Sequence, residues 1–354
     1  MLSLGSLSRQ SPTRTEKVSV VAGVVTLNVV AGGMRSITLV QALQYWFKVV
    51  AIALPVLVAF AVTRPGIGEL FTGPWAAAGT GLGGGSSAAE IYSLMLATFL
   101  GTMGLPHVLV RFYTNVDGGS ARATTVRVIA LLGVFYAFPT LAGVLMHQVM
   151  PPPAPGQADT LLLGLPAQVI GGWVGAVLAA LVAAGAIAAF LSTSSGLVVA
   201  AAGVLSTDVL RGRVRDFRVS AVVAGLVPLL IALPTTSVDI SRVVGMAFAV
   251  AASTFCPLLV LGIWWRGLTT AGAMAGLIVG GLMSLGALVV WVAVPAVATS
   301  SLESLLGQPA VASVPASFAT MVVVSLLTRG SVTPRADAVL AQLHLPSAAR
   351  RVAS

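Results

Sequence analysis

Charge is the scarcest property of this sequence. Only 8% of its 354 residues are Asp, Glu, Lys or Arg, against 57% hydrophobic ones, whereas a soluble domain carries about a quarter charged residues. A soluble core of this composition is excluded. With a mean hydropathy of +1.00, the chain reads as an all-α polytopic membrane protein. Carboxylates are the rarer sign, ten in all. Asp117, Asp208 and Asp216 fall at the ends of apolar runs and no acidic residue falls in the middle of one. That leaves no obvious intramembrane carboxylate to relay protons. The single cysteine, Cys256, excludes an intramolecular disulfide and a cysteine-based metal cluster. The three histidines stand far apart. No Ser/His/Asp constellation, metal-ligand motif or phosphate loop stands out, so nothing supports an enzyme or a bound cofactor.

Basic residues are present but dispersed. A net charge of +9 and a pI near 11.0 would suit nucleic-acid binding. Here, however, 19 basic residues lie between hydrophobic runs, where they act as topology signals rather than as a binding patch. The expected partner is the lipid bilayer, with no nucleic acid. Arg outnumbers Lys 17 to 2 and Ala, Gly and Val dominate, a bias that points to a GC-rich bacterial genome.

About 20 apolar residues span a bilayer as helix. Nine such segments are read: 18–32, 37–62, 90–110, 124–147, 174–206, 217–234, 240–264, 269–297 and 310–328. Residues 160–172 form a separate interfacial helix in this reading. Alternate loops carry Arg35; Arg111, Arg122 and Arg127; Arg211, Arg213, Arg215 and Arg218; Arg266; and Arg329, Arg335, Arg350 and Arg351. The opposite loops after residue 32 carry only Arg64 and Arg242. The arginine-rich side is therefore cytoplasmic, and the C-terminal tail 329–354 lies inside. Residues 1–17 break the alternation with Arg9, Arg14 and Lys17, and they lack the apolar stretch of a signal peptide. They are read as a non-native tail on a truncated piece of a longer protein.

Four places stand out chemically. The segment Gly101-Thr-Met-Gly-Leu-Pro-His107 sets two glycines, a proline and a histidine in an apolar run. A helix broken there exposes backbone carbonyls and half-helix ends to a cation or an anionic substrate. The bland alternative is a proline kink. Next, Ala189, Ser192 and Thr193 lie at i, i+3 and i+4 of the fifth segment and share a face. Hydroxyl and carbonyl oxygens suit a small hard cation, although Ser, Thr and Ala are also ordinary helix-contact residues in membranes. Third, Lys48 sits roughly 16 Å into its helix, with Gln41 and Gln44 on its approach. A charge at that depth faces a cavity or a partner. The fourth, Gly79-Thr-Gly-Leu-Gly-Gly84, matches a dinucleotide-binding pattern and is rejected, because no strand precedes it. Trp264 and Trp265 before Arg266 read as an interfacial anchor.

Four stretches carry a family resemblance. They are Gly32-Gly-Met-Arg-Ser-Ile-Thr-Leu-Val-Gln-Ala-Leu-Gln-Tyr45, Gly101-Thr-Met-Gly-Leu-Pro-His-Val-Leu-Val-Arg-Phe112, Ala188-Ala-Phe-Leu-Ser-Thr-Ser-Ser-Gly196 and Ser253-Thr-Phe-Cys-Pro-Leu-Leu-Val-Leu-Gly-Ile-Trp-Trp265. In order, they resemble the sodium/solute symporter family, most closely its cation/acetate (monocarboxylate) branch. The resemblance implies a partial LeuT-like inverted-repeat core, with the second repeat complete, the first reduced to its last two helices, and two extra C-terminal helices. It implies sodium-coupled symport of an acetate-like monocarboxylate across the bacterial cytoplasmic membrane, with sodium as coupling ion. By motif match the sodium ligands fall on Ala189, Ser192 and Thr193. The substrate region falls on Gly101, Thr102, Met103, Gly104 and His107. Core helices one to three have no counterpart, so the chain alone is expected not to catalyse coupled transport. Proline or pyruvate transport, a non-functional fragment and a transporter-derived sensor are the alternatives, the last weakened by the short tail.

The charge asymmetry makes a direct prediction. Reporters fused after Arg127, Arg218 and Arg335 should signal from the cytoplasm, and one near Pro155 from the exterior. A cytoplasmic signal from Pro155 would overturn the assignment.

Overall fold

The computed structural model describes residues 14–66, 88–105, 108, 115–150, 160–210, 214–232, 240–294 and 303–331. Among them every regular element is a helix. In chain order these are α1 (Arg14–Thr63), α2 (Ala88–Gly104), α3 (Gly118–Val149), α4 (Leu161–Val169), α5 (Gly172–Val204), α6 (Val214–Ala232), α7 (Ile240–Trp264), α8 (Thr270–Ala293), α9 (Glu303–Gly307) and α10 (Ala310–Leu327). A π-helical turn, Leu205–Val209, extends α5.

Six helical stretches are long and apolar enough to cross a membrane: Val40–Thr63, Gly118–Met146, Gly172–Val209, Arg242–Trp264, Thr270–Trp291 and Ala310–Leu327. Three of the nine expected segments fall short of that standard for visible reasons. Helix α2 has only 17 residues. Helix α6 has 19 but carries Arg215, Asp216 and Arg218 in its first turns. The apolar stretch Ser19–Val30 is shorter still.

The first two expected segments also merge. The reading placed a loop at Arg35, yet Arg14–Thr63 is one continuous helix of 50 residues, about 75 Å at 1.5 Å per residue. The physical reason lies in what residues 14–54 contain. Gly32 and Gly33 cost a helix about 1 kcal/mol each relative to Ala, which is not enough to end it, and no proline falls in this stretch. The separate helix before the fifth segment is present as α4. It turns into α5 through Gly171 and Gly172, with φ of 67° and 59°, the left-handed region that glycine enters without steric cost. Residues 1–13 and 332–354, which contain most of the expected tails, and the Gly79–Gly84 pattern lie outside the described residues.

The chain divides into two compact units. The first holds α1, α3, α4, α5 and α6. Here α1 runs along α5, and α6 packs on both. One core joins Val25 and Val29 of α1 to Val198, Val199 and Ala202 of α5 and to Ala221 and Ala224 of α6. A second joins Ile52, Val56 and Ala59 to Ala142 and Leu145 of α3 and Leu165 of α4. Asp117 caps α3 by accepting from the Ser120 backbone N–H at 2.6 Å, and that bond holds its carboxyl below the usual carboxylate range.

The second unit holds α2 and α7 to α10, and its core is Ala97, Ala249, Ala252, Ala310 and Val314. Side chains this small let helix backbones approach closely, which is how helices hold together where lipid removes the hydrophobic drive. Polar seams complete the contact. Ser253 and Ser313 share a hydroxyl bond of 2.6 Å, Ser317 donates to the Gly276 carbonyl at 3.0 Å, and Thr269 meets Thr328 at 2.7 Å. Buried Ser93 of α2 donates to the Gln308 carbonyl and accepts from the Val311 N–H at 3.0 Å. It thereby satisfies one of the orphan donors at the start of α10.

The α7–α8 crossing is a close backbone approach that can be tested. A Cβ on Gly280 would collide with the Ser253 carbonyl oxygen, whereas one on Gly286 meets nothing within 4 Å. Overpacking costs about 1–3 kcal/mol. Gly280→Val should therefore lower the melting temperature of the detergent-purified protein by several degrees, while Gly286→Val, on the same helix, leaves it almost unchanged. Equal losses would show that the close approach is not what holds α8.

Candidate functional site

Helix α5 carries no charged residue over 33 positions, and its polar patch is Ser192-Thr193-Ser194-Ser195. Ser192 is buried at 8% exposure, and two side chains from α1 converge on it. Gln41 Nε2 donates to the Ser192 backbone carbonyl at 2.9 Å. Lys48 Nζ donates to the Ser192 hydroxyl at 3.3 Å. Gln41, Gln44 and Lys48 are spaced i, i+3 and i+7, so they form one stripe on α1. The side-chain oxygen of Gln44, one turn before Lys48, is buried with no hydrogen-bond partner among the described residues. On another face of α1, Tyr45 donates its hydroxyl to the Leu131 carbonyl of α3 at 3.0 Å. Helix α1 is thus tied to α3 and α5 within about two turns.

The three residues expected to share a face are not equivalent. Ser192 is turned into the α1 contact, Ala189 is half-buried and Thr193 is exposed. Neighbours in a helix are turned by about 100°, so burying Ser192 brings Thr193 outward. Ser195, one turn on from Ser192, is equally buried. The sequence reading passed over it, although its i+3 spacing from Ser192 was the available signal. Lys48, expected to need a partner at its depth, has one in Ser192.

The second expected site lies in the other unit and stands by itself. Helix α2 ends at Gly104, inside the segment where a break was expected. Gly101 and Gly104 are buried, while Thr102 and Met103 are exposed. Thr102 turns its hydroxyl back to the Thr98 carbonyl at 2.6 Å. The glycines have a packing role: a Cβ on Gly101 would collide with the Phe248 carbonyl, and one on Gly104 would come within 2.7 Å of the Ala251 carbonyl. A helix end also leaves its last four carbonyls without intrahelical donors, acceptors that a cation or a donor-bearing substrate can use. Pro106 and His107 lie outside the described residues.

One ionic group escaped the sequence reading. Arg242 of α7 pairs with Glu90 of α2 at 3.0 Å, and its guanidinium lies 5.2 Å from the Trp291 ring centroid of α8. The partners are 152 residues apart, so no local spacing could reveal them. Among the described residues no group of three His, Cys, Asp or Glu is placed to hold a metal ion.

A 301-residue alignment relates 74% of the chain, at 29% identity, to 54% of a protein named monocarboxylic acid transporter from Corynebacterium glutamicum. An uncharacterized symporter from Bacillus subtilis is 30% identical over 75% of the chain and 55% of its own length. Another, from Cupriavidus necator, is 31% identical over 66% of the chain and 42% of its own length. The chain spans about half the length of these curated relatives. Their names point to a transporter rather than an enzyme. The profile of the sodium:solute symporter family matches residues 14–280, three quarters of the sequence, and the chain belongs to that family.

Proposed function

We propose that this chain is the C-terminal portion of a symporter that carries a small, acetate-like monocarboxylate with sodium across the bacterial cytoplasmic membrane. The C-terminus is cytoplasmic in this proposal, and the mechanism is alternating access on a LeuT-like pair of inverted repeats. Sodium binds first, at Ala189, Ser192 and Thr193, and favours the outward-open state. The carboxylate then binds around the end of α2, at Gly101, Thr102, Met103, Gly104 and His107.

The observation that carries the reading is that Gln41 and Lys48, on one polar stripe of α1, both meet buried Ser192 of the uncharged helix α5. Polar groups that deep are retained where they serve a pathway or a binding site. The relative named monocarboxylic acid transporter favours a carboxylate over proline as the solute.

The test replaces the aligned region of that relative with this chain and follows uptake of labelled acetate against sodium concentration. Each hydroxyl removed takes away one hard oxygen ligand, a loss of about 1 kcal/mol, or roughly fivefold in affinity. Ser192→Ala combined with Thr193→Ala should raise the sodium needed for half-maximal uptake by more than tenfold, with protein level nearly unchanged. An unchanged sodium requirement would return both residues to helix packing. Competition by propionate but not by proline is the expected substrate profile.

A further inference from the structure

We infer that the Lys48 ammonium is a tethered cation seated where the coupling ion binds, so that sodium and Lys48 are alternative occupants of the Ser192 oxygen. The inference deepens the sodium-site reading and rests on Ser192 being a cation ligand.

The oxygen that Lys48 meets is neutral. Lys48 is half-buried, eight residues inside the crossing stretch Val40–Thr63. An ammonium taken from water needs either a counter-charge or several acceptors. The helices packed on α1 are α3, α4, α5 and α6. Of these, α3, α4 and α5 contain no acidic residue at all, and α6 has only Asp216 in its first turn. Asp208 follows in the π-helical turn beyond α5, and on α1 itself the sole carboxylate is Glu16, about 48 Å away along the helix. Lys48 instead donates to the Ser192 hydroxyl at 3.3 Å. One turn back, the buried Gln44 side-chain oxygen has no hydrogen-bond partner among the described residues. Hydroxyl and amide oxygens without a carboxylate make a poor ion pair but a suitable shell for a small monovalent cation. Gln41 holds the Ser192 backbone from the same stripe, which keeps α5 in register with it.

The consequence for coupling is mechanical and electrostatic. Sodium cannot take the Ser192 hydroxyl without displacing the ammonium, so ion binding releases one of the ties between α1 and α5. It also leaves two positive charges in one apolar region, where like charges repel strongly.

The experiment is cation rescue on the purified chain in detergent, read as melting temperature in sodium chloride against N-methylglucamine chloride at equal ionic strength. No transport or substrate is needed, so failure of the uptake assay and failure of this test are separable. The wild-type chain should distinguish the two salts weakly. Lys48→Ala, with its seat vacated, should melt several degrees higher in sodium. Its half-saturating sodium should be roughly tenfold below that of wild type, since a ligand stabilises by its occupancy of the folded state. Methylammonium should act as sodium does. The response should vanish in Lys48→Ala with Ser192→Ala. Lys48→Met, which keeps the apolar stem, serves if Lys48→Ala does not fold. The same sodium response in wild type and both Lys48 variants would overturn the inference, and so would no response in any. Loss of folding in both Lys48 variants while Ser192→Ala folds would also overturn it, by making Lys48 a structural tie.

Discussion

An ammonium set within a membrane-crossing stretch is costly unless it finds a partner, so the protein must supply oxygens. Lys48 imposes that demand, and the α1–α5 contact answers it with the Ser192 hydroxyl, while Gln41 on the same stripe takes the Ser192 carbonyl. Several other features of the first unit fit around this contact. Helix α5 is free of charge and rich in small residues, which lets α1 lie close: Gly185 faces Ala51 with no room for a Cβ. Tyr45 then fixes the other side of α1 to α3. A polar stripe flanked by small residues both orients the helices and leaves oxygens where a cation can use them.

The second unit has one ion pair, Arg242–Glu90, and otherwise holds together through small side chains and hydroxyls. Its helices are joined by an alanine core and by serine and threonine hydroxyls that pair with one another or with carbonyls. Hydroxyl pairs of this kind contribute about 0.6 kcal/mol each in membrane proteins, so shape carries more of the association than bonding does. This accounts for Gly280 lying directly on the Ser253 carbonyl. It also recasts Gly101 and Gly104: their spacing by three serves the approach to α7, whatever else the end of α2 does.

Helices with capped or proline-marked limits were legible in the sequence. The bounds of α7 and α10 follow from an apolar run that stops at Trp265-Arg266 or begins after Pro309, and the start of α8 from the turn before Thr270, although α8 ends at Ala293 rather than at the expected 297. The junction at Gly32–Arg35 was not, because charge and glycine were weighed as a loop while the backbone meets no proline there and continues as helix. The depth of Lys48 was legible, and with it the need for a partner. Which partner was not, since Ser192 is 144 residues away. The Glu90–Arg242 pair escaped for the same reason. Among the three residues picked on α5, spacing could not tell which would turn toward α1 and which outward, because only the packing of α1 decides that.

The account depends on Lys48 and Ser192 being energetically joined rather than merely adjacent. A double-mutant cycle on reversible unfolding in mixed micelles measures this directly, using Lys48→Met, Ser192→Ala and the combined variant. The account predicts a coupling of about 0.6–1.7 kcal/mol, the range of hydrogen bonds between membrane helices. Strictly additive losses would mean that the ammonium draws nothing from the Ser192 hydroxyl, and would contradict it.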